Sequence, residues 1–371
     1  MSLDEIEPER PQRSKAARNG FVFLFNLAIS GFFLLALMAG VALYFGKQTF
    51  EAPGPLAEEQ TLLINRGEGV STIAAKLERA GVIEDDFVFR AGIRAYRNDV
   101  ELKAGEYKFE PGDSMKSVMD RLVAGRSIQY LVTIPEGFTT ARAYARVAAN
   151  ETLTGDMPLL VDEGALLPDT YSFQRGESRA DVINRMVAAR DKVVAEIWEN
   201  RQPDLPISTP EEMVTLASIV QMEAGGSEFR EVAGVFVNRL NKGMRLESDP
   251  TILYGIYGGE GKPRVNGRVQ GITQTEKANR HAYNTYFIEG LPPGPITNPG
   301  RESLEAVANP AQTDAFFFVA DGTGGHAFSV TYAEHLENVA KWREIEAEIA
   351  ARRAAEDAEA NTAESDQASD G

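Results

Sequence analysis

The stretch TPEEMVTLASIVQMEA, Thr209 to Ala224, reads as a capped helix that ends in a carboxylate. At about 100° per residue, Glu223 falls above Leu216 and Val220 and near Met213, on the apolar stripe that packs into a core. Thr209 is a plausible N-cap, Pro210 suits the first helical position, and Glu212 completes a Thr-x-x-Glu capping box. Gly225-Gly226 is expected to stop the helix, which puts Glu223 in the last turn beside a loop. An ionised carboxylate is costly to bury, so burial without a cation raises its pKa and keeps the proton available for a leaving oxygen. Periodicity leaves two readings open: a general acid, or a structural glutamate held by a neighbouring arginine.

Outward from this helix, Phe21 to Gly46 carries no charged residue. Twenty-six helical residues at ~1.5 Å each reach roughly 39 Å, enough to cross a hydrocarbon core about 30 Å thick. A cleaved signal peptide would have a shorter apolar run and a small-residue cleavage site. Arg10, Arg13, Lys15 and Arg18 precede the span and only Lys47 closely follows it, so the N-terminus is expected in the cytoplasm and the rest outside it. Residues 1–20 then form a basic cytoplasmic tail, 21–46 the transmembrane helix and 47–59 a linker with Pro53, Gly54 and Pro55.

The remaining chain is long enough for two domains. It contains no cysteine, which excludes disulfides, thiolate metal sites and a thiol nucleophile. Three histidines, His281, His326 and His335, make a zinc cage an unpromising reading, so no metal or cofactor is assigned. A net charge of -17 argues against a nucleic-acid partner, because phosphate binding needs a basic face. Part of that acidity lies in residues 346–371, an Ala, Glu, Asp and Ser tail expected to be disordered.

From residue 60 the hydrophobic periodicity alternates. Thr61 to Ile64 reads as a strand, Val70 to Leu77 and Phe87 to Tyr96 as helices, and Gly105 to Phe109 as a second strand. A further helix carries Val118, Met119 and Leu122 and ends at Gly125. This order over residues 60–130 resembles a LysM-like module, a class associated with peptidoglycan glycan strands; a plain spacer is the alternative. Beyond it, residues 131–345 read as a mostly helical α+β domain. The fold class is therefore α+β, with a single N-terminal transmembrane helix, a small LysM-like α/β module and a catalytic domain.

Seven stretches carry a closer resemblance: TIPEGF (133–138), LLPDTYSF (166–173), LASIVQMEA (216–224), VFVNRL (235–240), MRLESDPTILYG (244–255), AYNTYFIEGLPPGPITNPG (282–300) and FVADGTGGHAF (318–328). Together they are similar to the endolytic murein transglycosylase (YceG-like) family. The resemblance implies that Glu223, which ends the SIV-x-x-E stretch, is catalytic. Some relatives carry an acid two positions earlier, where this chain has Gln221. It also implies cleavage of the MurNAc-β-1,4-GlcNAc bond without water, leaving 1,6-anhydroMurNAc ends on nascent strands. The expected partners are peptidoglycan glycan strands, the inner membrane through one helix, and peptidoglycan synthases.

Other polar residues are candidates for substrate binding: Asn238, Arg239, Asp249, Tyr254, Tyr283, Asn284 and Tyr286. Arg239 is expected to pair with Asp249 rather than to hold a substrate carboxylate. His326 reads as a satisfied hydrogen-bonding residue, Glu228 and Glu231 as solvated charges, and Asn298 as the cap of a following helix. Two other functions stay open. A hydrolytic muramidase would need a second carboxylate, for which Asp249 is the nominee. A non-catalytic tether for a synthase complex would need no buried acid.

Overall fold

The computed structural model describes residues 15–96, 101–224, 228–265, 268–269 and 271–369, with side chains left undescribed at 15–19, 265, 268–269 and 353–369. The expected Gly225-Gly226 helix stop lies outside these residues. The architecture is mixed helix and sheet, and each sheet is a two-stranded antiparallel pair. Two units divide between Ile128 and Gln129.

The first unit contains α1 (Lys15–Glu51), β1 (Gln60–Ile64), α2 (Val70–Arg79), α3 (Asp86–Tyr96), β2 (Gly105–Phe109) and α4 (Met115–Ala124). β1 and β2 run antiparallel from Gln60↔Phe109 to Ile64↔Gly105. Alternation along β2 sends Tyr107 and Phe109 inward, where they meet Ile73 and Leu77 of α2, Phe89 of α3 and Met119 and Leu122 of α4. Ser114 caps α4 by accepting the Ser117 N–H, and Gly125 ends it in the left-handed conformation.

Gly20–Glu51 within α1 is the one described helix long and apolar enough to cross a membrane. This helix does not stop at residue 46. It runs to Glu51 and buries Phe50 completely in the core of the unit, so the first residues of the expected linker are helical and packed. The rest of that segment is also held: Gly54 donates its N–H to the Gly112 carbonyl, and Gly112 donates to Leu56.

The second unit opens with β3 (Tyr130–Thr133), α5 (Thr140–Ala148) and β4 (Thr170–Phe173), the strands pairing from Tyr130↔Phe173 to Thr133↔Thr170. Then come α6 (Arg179–Glu199), α7 (Pro210–Glu223), α8 (Phe229–Asn241), α9 (Asp249–Tyr257), the short pair β5 (Arg264–Val265) and β6 (Arg268–Val269), α10 (Gln274–Lys277) and α11 (Arg301–Ala308). A hairpin of β7 (Phe317–Ala320) and β8 (His326–Ser329) leads into α12 (Tyr332–Ser369). From 346 to 369, the stretch expected to be a disordered tail continues α12. Ala and Glu are strong helix formers, and no Gly or Pro interrupts them before Gly371.

α7 is the centre of this unit and packs against α6, α8, α9 and α11. Every residue from Met213 to Val220 is buried, so the helix is not greasy on one stripe but enclosed all round. Thr209 caps it by accepting the Glu212 N–H, while the Glu212 carboxylate takes the N–H of Ser208, one residue short of a reciprocal capping box. Gln221 turns toward α11, where its carbonyl accepts from Gly300 N–H and Ser303 Oγ.

Candidate active site

The enclosed helix α7 delivers Glu223 at its C-terminal end to a cleft of about 360 Å³ in the second unit. Arg239, Glu247, Asp249, Tyr286, Phe318 and His326 are among its walls. A larger hollow of about 590 Å³, lined by Glu196, Arg230 and Glu302, holds none of the predicted site residues.

The Glu223 carboxyl is set deep among protein atoms while the residue keeps part of its surface open. Burial pushes its pKa above the ordinary carboxyl value. A hydrogen bond from Ser248 opposes that rise, the nearby Asp249 charge adds to it, and His326 and Arg239 oppose it more weakly. Ser248 donates its hydroxyl to Glu223 Oε1 at 2.6 Å.

Backbone geometry aims that serine. Glu247 adopts a left-handed φ of 54°, unusual for a residue with a side chain, and its N–H reaches the Thr285 carbonyl at 3.2 Å. The next N–H, of Ser248, goes to Thr285 Oγ1 at 2.9 Å, and Thr251 Oγ1 closes the knot on the Ser248 carbonyl at 2.6 Å. Ser248, Thr251 and Thr285 are all buried, so the donor facing Glu223 is fixed by a satisfied network.

Asp249 begins α9 and accepts from Tyr286 Oη at 2.9 Å and from Lys277 Nζ at 3.2 Å, both at Oδ1. Its expected pairing with Arg239 does not form. Arg239 instead donates to the carbonyls of Arg245 and Leu246 and to Glu247 Oε2, which the turn after α8 brings to it, and to the Phe316 carbonyl just before β7, while α10 offers Lys277 to Asp249. Arg239 still borders the cleft, buried and with its guanidinium 5.3 Å from the Phe317 ring centre.

Glu228 also differs from the solvated charge the sequence suggests. At the N-terminus of α8 it accepts the His326 backbone N–H at 3.1 Å and faces His326 Nδ1 at 2.8 Å. That partner arrives from 98 positions later, on β8, so nothing local in the sequence exposes the contact. Glu231 is exposed as expected.

Of the other predicted binding residues, only Tyr286 joins Arg239 and Asp249 on the cleft wall. Asn238 spends its amide on the carbonyls of Thr313 and Ala315. Asn284 is fully buried and ties Lys277 and Asn279 carbonyls to the turn at Tyr286. Tyr254 borders a smaller cleft of about 170 Å³ with Arg142, Met222 and Leu253, and its ring centre lies 5.0 Å from that of Tyr283. Tyr254 also hydrogen-bonds Glu163, a carboxyl whose pKa burial pushes up and several hydrogen bonds hold back. Glu163, Ser248, Glu228 and Glu247 are polar groups near these clefts that were not among the predicted site residues.

Asn298 does not cap α11, whose N-cap is Gly300. It is fully buried, donating to the Phe138 carbonyl at 2.9 Å and accepting the Leu166 N–H at 2.9 Å. Among the described residues, no group of three or more His, Asp or Glu is arranged to hold a metal ion.

These features define an α+β protein with a candidate membrane anchor and a cleft built around one deeply set carboxyl. The chain belongs to the YceG-like family, whose pattern matches residues 62–341. It is similar to the endolytic murein transglycosylase of Bacillus subtilis (strain 168), 30% identical over 337 residues covering 81% of this chain and 89% of that protein. It is also similar to the endolytic murein transglycosylase of Streptococcus pneumoniae serotype 2 (strain D39), 29% identical over 359 residues. That match covers 83% of this chain, which spans 63% of the pneumococcal protein's length. A crystal structure of a yceG-like protein from Listeria monocytogenes is 29% identical, with 76% of this chain and 99% of that chain covered and a TM-score of 0.46.

Proposed function

We propose that this chain is an endolytic peptidoglycan lytic transglycosylase with Glu223 as its single catalytic carboxyl. The observation that carries the reading is the Glu223 carboxyl in the cleft, its pKa raised by burial and its orientation set by Ser248. Family membership and the names of the relatives support the substrate class.

In this mechanism protonated Glu223 donates to the GlcNAc oxygen as the MurNAc anomeric bond breaks. The resulting carboxylate accepts the proton of the MurNAc C6 hydroxyl, whose oxygen closes on the anomeric carbon to give a 1,6-anhydroMurNAc end. Atoms balance without water, and Glu223 ends protonated as it began. An ordinary glycosidase divides these duties between two carboxylates. Asp249 is the neighbour nominated for the second, and its Oδ1 is already engaged by Tyr286 and Lys277. That engagement favours the single-acid route. Arg239, Asp249 and Tyr286 are proposed to border the bound sugar, and Tyr254 and Tyr283 to line its extension.

The wider assignment follows from the anchor. Residues 21–46 are proposed to cross the inner membrane with the N-terminus cytoplasmic and the catalytic domain, 131–345, outside. The module at 60–130 is proposed to be LysM-like and to contact glycan. Cleavage beside the membrane would terminate elongation of nascent strands and place the protein near peptidoglycan synthases.

The test is mass spectrometry of sugar ends after wild type or Glu223→Gln acts on uncrosslinked glycan strands. New 1,6-anhydro ends from the wild type, with a loss of about 10²-fold or more in the variant, are expected. Reducing ends would make the protein a hydrolase. No cleavage by the wild type would leave the tether reading in its place.

A further inference from the structure

The first unit carries an apolar groove of about 540 Å³ between the last turns of the apolar helix α1 and the outer face of α3. Ala42, Leu43 and Gly46 form one wall and Phe87, Ala91 and Ala95 the other. The α3 residues repeat every fourth position, so they make one stripe. Phe87 is 69% exposed, a large aromatic surface for a helix whose opposite side, Phe89 and Ile93, fills the core.

The joint between the two helices is specific. Phe50 stacks on Tyr96 with ring centres 5.5 Å apart, and Tyr96 donates its hydroxyl to Glu51 at 2.7 Å. A Cβ on Gly92 would overlap the Phe50 ring, so only glycine admits that seat. α3 is therefore held beside α1 at a fixed height. Leu43 and Gly46 belong to the uncharged stretch that ends at Gly46, and Lys47 is the first charge beyond it. From Phe50 back to Leu43 the rise is only about 10 Å. A helix wall level with Leu43 is level with the edge of the hydrocarbon.

We propose that the Phe87–Ala91–Ala95 face of α3 lies in the bilayer surface and that the groove holds a lipid acyl chain, with Lys47 at its rim facing the lipid phosphate. The argument for lipid is continuity: one wall of the groove is the spanning helix itself, whose surface from Phe21 to Phe45 is almost entirely exposed apolar side chains. Arg94 lies alongside the stripe on α3, the placement expected of an interfacial helix beside phosphate headgroups, and Arg90 on the same side is paired with Asp86 at 3.1 Å. The proposal is independent of the chemistry at Glu223.

The absence of cysteine makes the test clean. Full-length protein carrying Phe87→Cys, labelled with a nitroxide, is placed in phosphatidylglycerol–phosphatidylethanolamine vesicles, with Leu43→Cys and the exposed Arg66→Cys as references. Collision with oxygen and with a water-soluble nickel chelate is measured for each. The expected result is a Phe87 probe that favours oxygen as the Leu43 probe does, at a depth of roughly 5–10 Å below the headgroups. A Phe87 probe as open to nickel as the Arg66 probe overturns the proposal. Protection from both reagents also overturns it, since protein rather than lipid would then fill the groove. A nickel-accessible Leu43 probe would overturn it by removing the membrane level on which it rests.

Discussion

Glu223 shows how much a single side chain depends on what surrounds it. Burial raises its pKa, so the folded protein binds its proton more tightly than the unfolded chain does. That contribution to stability is complete below the ordinary carboxyl value of 4.5 and is lost as pH rises through the raised folded value. Glu223→Gln keeps an acceptor for Ser248 and removes the charge. It is expected to stabilise the second unit by about 1–3 kcal/mol at neutral pH, with the gain shrinking toward zero as melts are repeated down to about pH 4. A variant no more stable than wild type at pH 7.5 would contradict this. Ser248→Ala removes a donor that favours the carboxylate, so the Glu223 pKa should climb further. The alkaline limb of the pH–rate profile is then expected to move to higher pH while the maximal rate falls; a limb that stays or moves down would show that Ser248 does not set this proton. The sequence could place Glu223 because helix period and caps are local. It could not name Ser248 as its partner, or Glu228 as the partner of His326, because those contacts join segments 25 and 98 positions apart.

At the scale of elements, short-range signals transferred well. Ser114, Gly125, Thr209 and Pro210 act at helix ends as their chemistry dictates. The apolar stripe assigned to α7 was too narrow, because an eight-residue run of Met, Val, Thr, Leu, Ala, Ser and Ile carries little periodicity and every side of it is buried. Asn298 illustrates a different limit. Asparagine before Pro and Gly reads as a cap, yet its side chain clamps the turns at Phe138 and Leu166 to the start of α11. Asn298→Ala leaves the buried Leu166 N–H without its acceptor, while the Phe138 carbonyl keeps the backbone N–H of residue 298. It is expected to cost about 1–3 kcal/mol, read as a lower urea midpoint with an unchanged slope. A shift within the error of wild type would mean that water replaces the amide.

Across the whole molecule, the passage from the apolar helix to the body of the first unit is where composition misled. Pro53, Gly54 and Pro55 suggest a slack connector, but α1 enters the first unit as a structural member through Phe50. A chain beginning at residue 47 keeps that ring, whereas Phe50→Ala empties its seat. The substitution is expected to destabilise the first unit by about 3–5 kcal/mol, measurable as a loss of amide protection in α3 and β2 while the second unit is unaffected. Equal protection in both proteins would show that α1 is not part of the core. The seat over Gly92 also settles a bearing. A helix pinned by one ring cannot spin, so each stripe of α1 points in a set compass direction relative to the module, turn after turn down to Phe21. A neighbour in the membrane that meets the module on one flank must therefore meet one particular stripe of α1, and tryptophan scanning from 21 to 46 would disturb it with a beat of about 3.6 residues.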